Sequence, residues 1–112
     1  MSTRKKFDEA LATYKRHGWR LVRALARPES LEEMRAGDDE GATYEGVTVS
    51  ESDVDAMWFT RASQGGREAW ELRLVAETPY ALFELFEPDE SEEDREDVRR
   101  EMEARLRDYV AK

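Results

Sequence analysis

Cysteine is absent from this 112-residue chain, and histidine occurs once, as His17. Without thiols there is no disulfide framework and no cysteine nucleophile, and a single imidazole leaves any metal site to carboxylates alone. A long apolar run is also missing. Met1 to Phe7 carries three basic residues with no hydrophobic stretch behind them, so neither a signal peptide nor a membrane span is expected, and the expected compartment is the cytoplasm. Proline occurs three times, and there is no internal repeat or low-complexity linker. One domain over residues 1–112 is therefore expected, long enough for a real core but not for two.

Charge is plentiful. Charged residues make up 40% of the chain and hydrophobic ones 39%, with a formal charge of -9. Residues 1–27 hold eight basic groups against Asp8 and Glu9, a local +6, whereas the remainder carries -15. A basic segment in an acidic protein lies against its own acidic surface more readily than against nucleic acid, whose binding domains are basic overall.

Phe7, Ala10, Leu11 and Tyr14 make one apolar stripe, so residues 3–17 are expected to be helical and to stop at Gly18. Trp19 to Ala26 fits either a strand or a continued helix; the glycine followed by tryptophan favours the strand. A short helix is expected at 28–36, ending at Gly37, then a polar loop from Asp38 to Gly41. One short strand is expected at Tyr44 to Val49. Two more are expected around the Gly65-Gly66 turn, with Met57, Phe59, Trp70, Leu72 and Leu74 on the core face and Trp58 and Arg73 facing away. A last strand, Tyr80 to Phe86, is apolar on both sides, which calls for cover on both faces, by helices or a second subunit. Asp89 is the expected cap of a terminal helix at 90–110 with a Val98, Met102, Leu106, Tyr109 stripe. The expected fold is α+β: an antiparallel sheet of four to five strands with N- and C-terminal helices packed on it, in the order α-β-α-β-β-β-β-α. The alternative is α-α-β-β-β-β-α.

No motif in the chain selects a chemistry. Asp53 with Asp55, and Glu68 with Glu71, are carboxylate pairs that 27 acidic residues produce by chance. Glu51, Asp53 and Asp55 lack the glycine and further oxygen ligands of a calcium loop. His17 has no serine beside it and suits the C-terminal end of a helix. Gly65-Gly66 lacks the lysine and following helix of a phosphate loop and reads as a turn. No catalytic residue, metal or cofactor is therefore expected. Trp58, Arg61, Trp70 and Arg73 are the candidate interaction residues, since arginine over tryptophan is enriched at the energetic centres of interfaces.

The resulting expectation is a small acidic, non-catalytic, cytoplasmic protein-interaction domain. It is expected to self-associate as a homodimer or to bind a protein partner through the Trp58 face or the acidic stretch 84–97, as an adaptor, chaperone-like or inhibitor/immunity-like protein. The alternative is a small-ligand-binding domain with a pocket near Trp58, lined by Tyr80 or Tyr44, with weak or hydrolytic chemistry. Nucleic-acid binding through Arg16, Arg20, Arg23 and Arg27 is a third, disfavoured reading.

Overall fold

The computed structural model describes residues 3–34 and 43–111. Its elements are α1 (Thr3–Arg16), β1 (Arg20–Ala26), α2 (Pro28–Met34), β2 (Thr43–Tyr44), β3 (Val47–Glu51), β4 (Ala56–Ala62), β5 (Glu68–Leu74), β6 (Tyr80–Phe86) and α3 (Glu92–Ala111). The strands form one six-stranded sheet in the order β2-β3-β1-β4-β5-β6, antiparallel throughout except for the β1–β3 pair. The fold is α+β, and no helix among the described residues is long and apolar enough to cross a membrane.

Trp19 to Ala26 resolves as a turn and a strand, which excludes the alternative with a second helix. The expected stop at Gly37 and the loop from Asp38 to Gly41 lie outside the described residues. The single strand expected at Tyr44 to Val49 is instead a hairpin. Glu45 and Gly46 both have positive φ (51° and 81°) and fold β2 back on β3, so the sheet has six strands. Ser91, not Asp89, caps α3: its hydroxyl accepts the Asp94 backbone N–H at 3.1 Å.

The largest correction concerns the β4–β5 register. The turn between Ser63 and Arg67 holds three residues, Gln64–Gly66, with both glycines at positive φ, and Ser63 N–H donates to the Arg67 carbonyl at 2.9 Å. The expected facing of the two strands requires a loop of two or four residues, and an odd loop inverts the facing of one strand relative to the other. Trp58 therefore lies opposite Leu72, and Met57 and Phe59 lie opposite Arg73 and Glu71. Trp58 does not face away from the core; it is fully buried.

Both sheet faces are core faces. On one, α1 and α2 cover Leu21, Ala24, Val49, Met57 and Phe59 with Phe7, Leu11, Tyr14 and Leu31. On the other, Met102 and Leu106 of α3 cover Leu25, Trp58, Leu72 and Leu82. The two layers are staggered: α1 and α2 lie towards β1 and β3, whereas α3 contacts β5 and β6. Trp58 sits in the α3 layer, edge-on to Trp70 at 5.9 Å, and its indole N–H donates to Glu103 at 2.8 Å.

Replacing Trp58 by Ala should therefore destabilise the fold by about 3–5 kcal/mol, as for other buried aromatic truncations. Urea unfolding measures this directly, and a loss below about 1 kcal/mol would contradict a core position for the indole.

Candidate functional site

Among the described residues, the stagger of the helices leaves two quadrants of the sheet without a helical cover. One is the β5–β6 half of the α1 face. The other is the β1–β3 half of the α3 face, and each has a distinct chemistry.

On the α1 face the uncovered area is organised by the end of α1. Gly18 takes φ 85°, its N–H donates to the Lys15 carbonyl, and Trp19 N–H reaches back to the Tyr14 carbonyl, both at 3.0 Å. This is the Schellman arrangement, in which the residue after the glycine packs on the helix residue five positions back. Trp19 accordingly lies edge-on to Tyr14 with ring centroids 6.0 Å apart. Its other side meets Phe83 of β6 at 6.4 Å and 89°, and the Arg61 guanidinium lies over the indole at 4.5 Å. Arg61 also donates to the His17 carbonyl at 2.8 Å, which satisfies a helix-terminal acceptor and fixes the cation in place.

Below Trp19, Tyr14 stacks on Phe59 at 4.1 Å and 11°, and its hydroxyl donates to the Glu71 carboxylate. Glu71 sits opposite Phe59 on one side and Phe83 on the other, and the Arg73 guanidinium lies 5.9 Å from the Tyr14 ring centre. Thr13, Tyr14, His17, Trp19, Glu71 and Arg73 line a shallow cleft of about 300 Å³. Outward from it Ala81, Phe83 and Leu85 are exposed, Phe83 by 56% and Leu85 by 37%. Burial, then the hydrogen bond and charge of Glu71, push the Tyr14 hydroxyl well above its ordinary pKa of 10.0. At neutral pH the phenol keeps its proton and is neither base nor nucleophile. His17 turns Nδ1 to the Thr13 carbonyl at 2.9 Å. The arrangement is an aromatic–arginine strip around one occupied carboxylate.

The second quadrant is a groove of about 760 Å³ between the bare half of β1–β3 and α3. Val22, Leu25, Thr48 and Ser50 form its floor, Glu103 and Arg107 its wall, and Glu51 and Asp53 its rim. Glu103 is held by Trp58, and Arg23 is held by both carboxylate oxygens of Glu96 at 2.9 and 3.3 Å. None of Trp58, Tyr80 or Tyr44, expected to line a ligand pocket, is among its lining residues. Tyr80 stacks on Tyr109 at 3.7 Å, and Tyr44 donates to Asp8 at 2.5 Å.

The four expected interaction residues do not come together. Trp58 and Trp70 point to the α3 face, where Arg99 stacks over Trp70 at 4.4 Å; Arg61 and Arg73 point to the α1 face. The arginine-on-tryptophan pairing exists on each face with a different partner. Trp19 and Phe83, the centre of the exposed strip, were not singled out from sequence, although the glycine stop before Trp19 and the apolar character of both sides of β6 were legible there. Asp55 is buried and turned inward, accepting Arg27 N–H and the Ser30 hydroxyl at 2.8 Å each. Glu51, Asp53 and Asp55 therefore do not converge, and no group of three or more metal-binding side chains occurs among the described residues. Glu68 and Glu71 lie on opposite faces, bonded to Arg95 and Tyr14 respectively. Arg23 and Arg27 pair with Glu96 and Asp55, so the basic segment forms no free stripe of four arginines.

A tyrosine whose folded pKa is raised stabilises the fold below its unfolded pKa, and that contribution is lost as pH rises above it. Tyr44, buried and bonded to Asp8, is shifted in the same direction. Urea midpoints should fall as pH rises past about 10, and Tyr14→Phe should flatten that fall. An unchanged slope in the variant would overturn the role given to the Tyr14–Glu71 contact.

Comparison with known proteins finds no matching family, no matching curated protein and no matching solved structure, so the reading of this surface rests on its own geometry and chemistry.

Proposed function

We propose that this chain is a small, acidic, cytoplasmic protein-interaction domain that works without catalysis, and that its contact surface is the bare half of the α1 face. The observation that carries the reading is the exposure of Phe83 and Leu85 beside Trp19 and Arg61, on the outermost strand of the sheet. Large apolar side chains clustered on a strand are uncommon on a free surface, and Trp, Phe, Tyr and Arg are the residues on which interface energy concentrates. Arg61 and Arg73 keep the role of binding residues in this proposal, with Trp19 and Phe83 taking the places first given to Trp58 and Trp70. The acidic stretch 84–97 contributes less: Glu87, Glu92, Glu96 and Asp97 are each paired with an arginine. Pairing of this kind leaves a reduced net field to attract a basic partner.

Phe83→Asp places a charge in the centre of the strip at an exposed position, so the circular dichroism spectrum should be unchanged. Any association of the chain, with itself in sedimentation or with a protein retained by the tagged chain, should weaken at least about tenfold. Thr48→Asp in the groove should leave association intact. The reverse pattern would move the functional surface to the groove and overturn the proposal.

A further inference from the structure

Resting on that reading, we infer that the partner is a second copy of this chain, joined by antiparallel pairing of β6 with β6 about a two-fold axis at Phe83. The two edges of the sheet are unequal. β2 offers two residues, whereas β6 offers seven, and among the described residues nothing pairs with its outer side. An unpaired strand of that length is a template for another strand, and exposed edges are ordinarily blunted by charge, proline or bulges. β6 has a proline outside each end, Pro79 and Pro88, and a single charged residue, Glu84.

The sequence of β6 is complementary to itself in one register. Centring on Phe83 pairs all seven residues. On the α1 face Phe83 meets Phe83 of the second copy and Ala81 meets Leu85, so every pair is apolar. On the α3 face Tyr80 meets Phe86 and Leu82 meets Glu84. Moving the axis to Glu84 sets two carboxylates directly opposite each other, which is unfavourable, and moving it to Leu82 draws Pro79 into the ladder, where it has no N–H to donate. On the α1 face no described helix stands in the way of this register, and α3 covers β6 from the other face. This register also brings the two Trp19–Phe83 strips into one continuous apolar band across the axis. Each copy carries -9, so the contact forms against long-range repulsion and should tighten, not weaken, as salt screens it.

The chain lacks cysteine, so a single introduced thiol reports on its own position. With the full chain, light scattering should give twice the 13.1 kDa of one copy, with a dissociation constant that falls as salt is raised from about 0.05 to 0.5 M. A short bis-maleimide should link Phe83→Cys to itself. It should link Ala81→Cys only to Leu85→Cys in a mixture, since each alone is about 14 Å from its own counterpart along the strands. A dimer in which Phe83→Cys stays unlinked overturns the β6 register while leaving the interaction surface standing. A monomer at every concentration and salt overturns the second copy; the interaction surface itself falls only if Phe83→Asp also leaves every other association unchanged.

Discussion

A six-stranded sheet is too wide for the described helices to cover it. At about 4.8 Å between strands, six strands span about 24 Å, and a helix with its side chains is about 10 Å across. Each face thus needs two or three helices. The described residues supply α1 with the seven-residue α2 on one face and α3 alone on the other. The solution is diagonal. The helices take opposite halves, both halves of the core share the central strand β4, and two quadrants are left bare. β4 is accordingly the one strand buried on both sides over most of its length, from Ala56 to Thr60.

The diagonal arrangement explains where the charged groups go. α3 presents Arg99 to the sheet, where the guanidinium lies over Trp70 and Phe86 and is neutralised by Glu92 and Glu96. Glu96 also holds Arg23 of β1, and these hydrogen bonds keep its carboxyl below the ordinary carboxylate range. One carboxylate thereby ties the terminal helix to both an aromatic cluster and the far side of the sheet. Truncating Arg99 would leave Glu92 without its partner and Glu96 with Arg23 alone, which is more damaging than never having built the pair. On the other face Tyr14 and Glu71 make the equivalent bond between α1 and β5, with Arg73 beside it.

Local patterns in the chain were enough to find α1, α3, β6 and the strand after Gly18, because each rests on periodicity or a stop signal within one segment. The facing of Trp58 was not legible, since it depends on whether the Gly65-Gly66 turn holds an odd or even number of residues, and glycine accommodates either. Alternation alone marked β6 as a strand needing two covers. It did not reveal that α3 reaches only the Leu82 and Phe86 side. The candidate surface depends on helix placement across the whole sheet, and so Arg61 and Arg73 were visible as components while their partners Trp19 and Tyr14, over 40 positions away, were not.

The shortness of β2 limits assembly as well as architecture. Filaments grow when a molecule offers two different complementary edges, so that each addition regenerates a free one. Among the described residues the edge strand opposite β6 has two residues of ladder. In the proposed dimer, pairing through β6 would consume that strand in both molecules, and growth would terminate at two. An acidic surface keeps unassembled copies apart in the meantime. The edge proposed for association would thus also limit it.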